Sequence, residues 1–256
     1  VEKDLQESGV TKHDLGRDNF LSKVWEWKEK SGDNITNQMK SLGMSCDWSR
    51  ERFTMDEGLS KAVLEVFVSL YDNDLIYKGT RMVNWDTKLK SAVSDLEVSS
   101  EMQLGKLWRI KYKVGEEFLS IATTRPETLL GDTAVAVNPT DERYKHLIGK
   151  TIQIPVVNRD VKIIADDYVD KDFGSGCVKI TPAHDFNDYE IGKRHNLEFI
   201  RCLDFNGNIV NDDFVPKHFR SLERFEAREK IIQFLEKEGL LEKVEDYEIQ
   251  IPKGDR

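Results

Sequence analysis

The stretch Gly174 to Lys193 reads Gly-Ser-Gly-Cys-Val-Lys-Ile-Thr-Pro-Ala-His-Asp-Phe-Asn-Asp-Tyr-Glu-Ile-Gly-Lys, and it decides where a strand and a helix meet. The glycines at its start predict a turn, and Cys177 to Thr181 predicts a short strand. Pro182 breaks that strand, and the pattern then predicts a helix from about Ala183. One strand end and one helix start should therefore lie side by side.

Four polar side chains converge at this predicted junction. Alternation along the strand places Lys179 and Thr181 on the face opposite Val178 and Ile180, and the helix carries Asp185 and Asp188 on one face of its first turns. A lysine, a hydroxyl and two carboxylates in one place can bind a polar ligand. The alternative is an acidic helix N-terminus stabilised by the helix dipole, with the lysine as its surface partner.

A second polar junction lies about fifty residues earlier, in Ile121 to Asp132, which reads Ile-Ala-Thr-Thr-Arg-Pro-Glu-Thr-Leu-Leu-Gly-Asp. Thr124 and Glu127 have capping-box spacing, and Pro126 suits the first helical position. Gly131 then ends the helix after little more than one turn.

The start of this short helix predicts an anion or carbonyl site. Its free backbone N–H groups would lie beside Arg125 and Thr128, an arrangement that suits a carboxylate, a carbonyl oxygen or a phosphate. A well-capped connector helix without a ligand is the alternative.

Composition excludes several classes of protein. The 256 residues carry a formal net charge of −9, which disfavours a nucleic-acid binder that works through a basic surface.

The three cysteines, Cys46, Cys177 and Cys202, are far apart and odd in number, so we expect a reducing, cytoplasmic setting without disulfides or a thiolate zinc site. No run of 18 apolar residues occurs, so no membrane contact is expected. We also expect an excised fragment, because the chain opens on Val1 and not on methionine.

The first part of the chain has a helical period. Apolar spacing predicts a helix over Leu15 to Lys30 and a second that runs to about Leu42-Gly43. A Thr54-x-x-Glu57 capping box predicts a third helix that ends near Gly79. The apolar face of this third helix would be Leu59, Ala62, Val63, Val66, Phe67 and Leu70.

From Leu104 the period changes to that of strands, with a hairpin turning at Gly115. Frequent strands with short helical pieces between them predict an α+β fold with a closed or nearly closed β-barrel. A long helix over about Leu222 to Glu238 follows, with Phe225 on its buried side. We therefore expect a helical segment over residues 1–103 and a barrel domain with a C-terminal helix over 104–256. The expected strands are Met82–Trp85, Leu107–Val114, Glu117–Ala122, Thr133–Val137, Thr151–Val157, Val161–Ala165 and Cys177–Thr181.

Taken together, Thr123 to Pro139 and Gly174 to Glu190 resemble the editing insertion (connective polypeptide 1) of the valyl-tRNA synthetases. Asp47 to Gly58 and Ser94 to Val98 look like the helical segment that precedes this insertion in the same family, so the resemblance covers nearly all of the chain. It is specific, because leucine enzymes typically show Arg-Pro-Asp-Thr where this chain has Arg-Pro-Glu-Thr from Arg125.

Two departures from the family pattern matter. The H-x-G-H and K-M-S-K-S type motifs of the aminoacylation site are absent from the sequence, so we do not expect this chain to activate valine. Some relatives also carry a Cys-x-x-Cys zinc knuckle where this chain has Asp86-Thr87-Lys88-Leu89, so we expect no structural zinc and no cofactor.

The resemblance implies hydrolysis of threonine wrongly attached to the valine tRNA. It implies catalytic roles for Asp185, Lys179 and Thr181, with the substrate ammonium against Asp185 and the threonine hydroxyl read by Asp188, Lys179 and Thr181. Spacing alone leaves open which of the two aspartates binds the ammonium. Arg125 and Thr128 would meet the terminal adenosine or the ester carbonyl. Thr123, Thr124 and Glu127 complete the implied substrate-binding set.

The implied partners are the 3′ end of tRNA(Val) carrying threonine and the rest of the synthetase in cis, with the fragment itself monomeric. A non-catalytic module that binds the tRNA 3′ end is the main alternative. Two further alternatives are a metal site formed by His184 with the aspartates and a nucleophilic Cys177. The adjacent lysine disfavours a cation, and an apolar strand is the usual place of a packed, unreactive cysteine.

Overall fold

The computed structural model describes residues 1–254. The chain divides into two compact units, Val1–Gly79 and a larger unit from Thr80 onward. The predicted boundary at 103/104 falls inside a continuous strand, Val98–Val114, so residues 80–103 group with the sheet. None of the helices described in residues 1–254 combines the length and the apolar character needed to cross a lipid bilayer.

The first unit is helical, as its period predicts. It contains α1 (Glu2–Glu7), α2 (Lys12–Ser31), α3 (Asp33–Ser41) and α4 (Glu57–Asp72). Thr11 begins α2 with a capping box to Asp14, and a local kink at Gly16 interrupts its first turns.

The start and the end of α4 differ from the prediction. The N-cap is Asp56, whose carboxylate accepts a hydrogen bond from the Leu59 N–H, so the predicted Thr54 capping box is wrong. The helix ends at Asp72 and not near Gly79. A carboxylate one residue before the helix satisfies the free N–H groups without help from the threonine.

The apolar face predicted for α4 is solvent-exposed in this chain. No residue of α4 is buried, and Val63 and Phe67 expose 64% and 59% of their surface. Thr36, in α3, is the one buried residue among residues 1–79. Periodicity correctly identified the helix, but it does not say whether a partner covers the apolar side.

The second unit is built on a curled sheet of seven strands in the described residues, in the order β4-β3-β6-β7-β5-β8 with β9 also paired to β3. The end strands β4 and β8 come into contact, so the sheet is nearly closed, as expected for an α+β fold with a barrel. A separate β-hairpin, β1 with β2, precedes the sheet. The strands are β1 (Asn84–Asp86), β2 (Ser91–Val93), β3 (Val98–Val114), β4 (Glu117–Thr123), β5 (Ala134–Val137), β6 (Thr151–Ile154), β7 (Arg159–Ala165), β8 (Cys177–Ile180) and β9 (Leu241–Gly254).

The hairpin of β3 and β4 turns at Gly115, whose φ of 58° lies in the left-handed region that glycine favours. The longest strand pair, however, is β3 with β9, which run antiparallel from Val98 opposite Gly254 to Ile110 opposite Leu241. Strand β9 was not predicted. Its alternating Tyr247, Ile249 and Ile251 are the sequence signal for it.

Two helices pack on this unit, α5 (Phe186–Arg194) and α6 (Arg224–Lys237). Helix α6 lies within the predicted range, with Ala227, Ile231 and Leu235 buried. Phe225, predicted to be on its buried side, is half exposed. The main core fills the inside of the curled sheet, and a smaller cluster around Ile180 and Ile191 lies under α5.

Candidate functional site

A cavity of about 440 Å³ opens between the end of β4, strand β8 and the start of α5. All the predicted site residues except Glu127 line it. The Arg125 guanidinium donates a hydrogen bond to the His184 carbonyl at 2.9 Å, which ties the two predicted polar segments together. The residues that line the cavity from the predicted set are Thr123, Thr124, Arg125, Thr128, Lys179, Thr181, Asp185 and Asp188.

Thr128, Lys179, Thr181 and Asp188 form the floor of the cavity, and all four are buried. The Lys179 ammonium donates to the hydroxyls of Thr128, at 2.9 Å, and of Thr181. The Thr181 backbone N–H donates to the Asp188 carboxylate at 2.8 Å. The floor is therefore one connected hydrogen-bond network.

Alternation along β8 explains why Lys179 lies here. Val178 and Ile180 pack with the smaller cluster under α5, while Cys177 packs in the main core on the other side of the strand. Lys179 lies on the same face of β8 as Cys177, and its ammonium donates hydrogen bonds to Thr128, Asp132 and Thr181 at the end of the sheet. The predicted alternation is confirmed for Lys179 and Ile180, whereas Val178 packs with the smaller cluster and also lines the cavity.

Asp132 lies beneath the floor and binds two of its residues, Lys179 and Thr181. Asp132 was not among the site residues predicted from the sequence. Its carboxylate is fully buried and accepts hydrogen bonds from Lys179 Nζ at 3.1 Å, Thr181 Oγ1 at 2.6 Å and Tyr112 Oη at 2.8 Å. Arg159 donates to the backbone carbonyl of Asp132 at 2.7 Å. The available signal was an aspartate two residues before the wholly apolar strand β5.

Burial raises the pKa of Asp132, while the Lys179 ammonium and the hydroxyls of Thr181 and Tyr112 act against that rise. Burial also raises the pKa of Tyr112 well above its ordinary value, and the charge of Asp132 adds to the effect. Three donors to one carboxylate favour its ionised form. Lys179 and Asp132 therefore form a buried ion pair behind the cavity wall.

Asp188 combines burial with a free carboxylate oxygen. Burial raises its pKa to about 6, although Lys179 and the Thr181 N–H favour the charged form. One oxygen accepts the Thr181 N–H, and the other has no hydrogen-bond partner within residues 1–254. That oxygen can serve a ligand.

Arg125, Tyr168, Phe173 and Asp185 form the rim of the cavity, and all four are exposed. The helix expected from Ala183 begins only at Phe186, and Asp185 is its N-cap, with one oxygen accepting from the N–H groups of Asn187 and Asp188. The two aspartates therefore differ: Asp185 precedes the helix, and only Asp188 lies in its first turn.

The capping box predicted for Thr124 and Glu127 is wrong. Pro126–Gly131 is a 3₁₀ turn without a side-chain cap, and Arg125 precedes it. Glu127 is buried and forms a bidentate ion pair with Arg228 of α6, with both distances 2.7 Å. Glu127 therefore joins the 3₁₀ turn to α6 and does not line the cavity. Its carboxylate binds the Arg228 guanidinium and does not cap the backbone N–H groups of the turn, because a bidentate ion pair is the stronger interaction.

A second buried carboxylate, Asp166, joins the rim to the far end of α5. It accepts hydrogen bonds from Arg194 at 2.9 Å, His195 at 2.8 Å and the Tyr168 N–H at 3.0 Å. Burial acts to raise the pKa of Asp166, but these three hydrogen bonds outweigh it and lower that pKa. The loop that carries Tyr168 is thus tied to the helix that begins at the cavity.

His184 and the buried cysteines have structural environments. His184 Nε2 accepts the Cys202 backbone N–H at 2.9 Å, and burial lowers the pKa of His184 to about 3. Burial raises the pKa of Cys177 to about 11 and that of Cys202 to about 12, which disfavours thiolates. Within residues 1–254 no group of three or more His, Cys, Asp or Glu side chains is placed to hold a metal ion.

Several bacterial proteins named valine–tRNA ligase are similar to this chain over its whole length. Those of Legionella pneumophila (strain Paris), Francisella tularensis and Acinetobacter baylyi are 60%, 57% and 53% identical to it. The chain spans 28% of the Legionella protein and 29% of the Acinetobacter protein.

Among solved structures, the LeuRS–tRNA–LeuAMS ternary complex of Agrobacterium radiobacter K84 matches with a TM-score of 0.43 at 17% identity, covering 97% of this chain and 38% of that one. The family model described as tRNA synthetases class I (I, L, M and V) matches residues 1–218. The chain therefore belongs to the class I tRNA synthetases of this group.

Proposed function

We propose that this chain carries out post-transfer editing, the hydrolysis of the ester in threonyl-tRNA(Val), as part of a valyl-tRNA synthetase. The observation that supports this most is the cavity itself, whose floor is polar, buried and internally hydrogen-bonded at the place where two motif segments meet. A site for valine would need an apolar floor.

The substrate presents an ammonium, an ester carbonyl, a terminal adenosine and a side-chain hydroxyl. We assign the ammonium to Asp185 at the rim, because an ionised carboxylate is its strongest acceptor and one oxygen of Asp185 is free of hydrogen bonds within the described residues. We assign the hydroxyl to the floor at Thr181 and Asp188, with Lys179 holding Thr181 in place through its hydrogen bond to that hydroxyl. Arg125 and Thr128, with Thr123 and Thr124 beside them, would meet the adenosine or the ester carbonyl. Glu127 supports these residues from behind through Arg228.

Discrimination against valine follows from the floor. A methyl group in place of the hydroxyl would leave buried polar groups desolvated and unpaired, which costs about 1–3 kcal/mol for each such group. Threonine satisfies those groups and valine does not.

The chemistry asks little of the protein, because the aminoacyl ester is already activated. Water attacks the ester carbonyl, and the bond to the ribose oxygen breaks to release threonine and the free tRNA end. Asp185, held as an N-cap, can orient the ammonium and the water, and we assign the stabilisation of the developing oxyanion to the donors of Arg125.

We assign the whole activity to residues 104–256, regard residues 1–79 as part of the synthetase body, and regard residues 80–103, which group with the sheet, as the joint between them. The exposed apolar face of α4 fits a helix that packs against the rest of a longer synthetase in cis. We further propose a cytoplasmic, monomeric fragment that uses no cofactor and no metal.

The experiment is single-turnover deacylation of threonyl-tRNA(Val) with the protein in excess, because an isolated fragment can bind tRNA weakly. Release of threonine above the spontaneous rate is expected. Saturable binding of the tRNA 3′ end without any release would instead identify the non-catalytic binding module.

A further inference from the structure

The outward face of the β3–β4 hairpin carries a row of cations that the cavity itself does not use. The β3 residues that point into the main core are Trp108, Ile110, Tyr112 and Val114. Because side chains alternate along a strand, the residues between them lie on the outside of the sheet. These outward residues are Arg109, Lys111 and Lys113, which pair with Ala122, Ser120 and Phe118 of β4.

This row begins at the cavity. Leu107 and Ala122, which share its outward face, line the cavity, and so does Tyr247 of β9. Lys113 lies four residues beyond the row of Arg109 and Ala122, a distance of about 13 Å along the strand. A single RNA strand covers that length with roughly two to four nucleotides.

The charge of this face is largely uncompensated. Neither the Lys111 nor the Lys113 ammonium has a hydrogen-bond or ion-pair partner within residues 1–254. Arg109 and Lys243, which pair across β3 and β9, share one carboxylate, Glu245, at 2.9 and 2.7 Å. We call these four basic side chains the cationic face, and with Glu245 they carry a net charge of +3.

Two other sides of the cavity mouth are acidic. The rim loop exposes three aspartates against one lysine, and the start of α5 adds three more carboxylates. Phosphates leaving the cavity are repelled there and attracted to the cationic face, although the whole chain has a net charge of −9. The loop residues are Asp167, Asp170, Lys171 and Asp172, and those of α5 are Asp185, Asp188 and Glu190.

We propose that the cationic face binds the single-stranded nucleotides that precede the terminal adenosine, with Lys111 and Lys113 on their phosphates. This inference rests on the proposed editing function and names a second contact surface for its tRNA partner, outside the cavity. Phe118, opposite Lys113 and 51% exposed, adds a ring on which a base can stack.

The test compares two hydrolysis-resistant ligands in titrations with the intact chain. One is 3′-deoxy-3′-(threonylamino)adenosine, which reaches only the cavity. The other is a single-stranded RNA tetranucleotide that ends in the same residue and extends beyond the cavity. The test variant is Lys111→Gln with Lys113→Gln, and the matched control is Lys217→Gln with Lys237→Gln, which removes two exposed lysines that do not line the cavity.

We expect the tetranucleotide to bind the unmodified chain at least about tenfold more tightly than the nucleoside, and the test variant to lose most of that gain. Between about 50 and 200 mM salt, tetranucleotide affinity should fall about sevenfold more for the unmodified chain than for the test variant, because two phosphate contacts are lost. Nucleoside affinity should be the same in all three proteins, which also shows that the variants are folded.

Two results would overturn the inference and leave editing intact, provided that the nucleoside still binds. One is an unchanged tetranucleotide affinity in the test variant, and the other is an equal loss in the control, which would reduce the effect to overall charge. A chain that binds the tetranucleotide as expected but releases no threonine from threonyl-tRNA(Val) would remove editing and keep this RNA-binding surface. Binding of neither ligand would remove both.

Discussion

The floor and the rim of the cavity differ in how many of their polar groups are already paired. On the floor, Lys179 is 9% exposed, and its ammonium has a full set of internal partners. On the rim, Arg125 and Asp185 are exposed and keep atoms free. A rigid floor suits the reading of a small side chain, whereas an open rim suits the charged and larger parts of a substrate that must enter and leave.

Lys179→Met should have the largest effect, because it breaks the floor. Removing the ammonium leaves Asp132 buried without its charge partner, which costs about 3–5 kcal/mol of stability. We expect a lower Tm in thermal unfolding and loss of threonyl-tRNA deacylation.

The control is the double variant Lys179→Met with Asp132→Asn, which removes both charges and keeps polar partners for the hydroxyls of Tyr112 and Thr181. Stability should largely return in this variant while deacylation stays absent. A single Lys179→Met variant with normal Tm and normal selectivity would mean that the floor is not a connected network.

Asp185→Ala tests the rim and should have a smaller structural effect. Loss of a charged acceptor for the ammonium should lower kcat/KM for threonyl-tRNA by roughly 10- to 100-fold. Loss of the N-cap should cost about 1 kcal/mol of stability.

Glu223→Ala is the matched control for the cap. Glu223 caps α6 by accepting the N–H groups of Phe225 and Glu226, as Asp185 caps α5, but it lines no part of the cavity. It should show the same stability loss and normal deacylation. Equal deacylation by Asp185→Ala and Glu223→Ala would show that Asp185 serves only as the N-cap of α5.

The pH dependence of kcat/KM should distinguish the contribution of the buried Asp188 from that of the exposed Asp185. Burial raises the pKa of Asp188 to about 6, so the acceptor form is lost as the pH falls through that value. We expect kcat/KM to fall roughly tenfold between pH 7 and pH 5. Asp188→Asn should lower kcat/KM at pH 7 and should remove its fall between pH 7 and pH 5. A tenfold fall that persists in this variant would show that a group other than Asp188 titrates.

Chelation should have the smallest effect. His184, the one histidine on the cavity, already uses Nε2 to accept the Cys202 N–H. We expect EDTA treatment to leave deacylation unchanged. If EDTA abolished deacylation and added zinc restored it, the rim of the cavity would hold a metal ion that the reaction needs.

Local patterns predicted the elements around the site well. Strict alternation identified β8, and the glycine between two apolar runs identified the hairpin at Gly115. Long-range pairing was harder: β9 lies over a hundred residues from β3 in sequence, and no local signal names its partner.

Side-chain partners were the least predictable feature. Glu127 had capping-box spacing, but Arg228, about a hundred residues later, offered a stronger bidentate partner. Asp132 was passed over because its role depends on Lys179, Thr181 and Tyr112 meeting in three dimensions. Sequence patterns locate polar residues, and tertiary contacts decide which of them face a ligand.

The measurement that tests the account most directly is the ratio of single-turnover deacylation rates for threonyl-tRNA(Val) and valyl-tRNA(Val) with the protein in excess. A buried polar floor predicts that the threonyl ester is hydrolysed at least about tenfold faster. Equal rates for the two esters would contradict it.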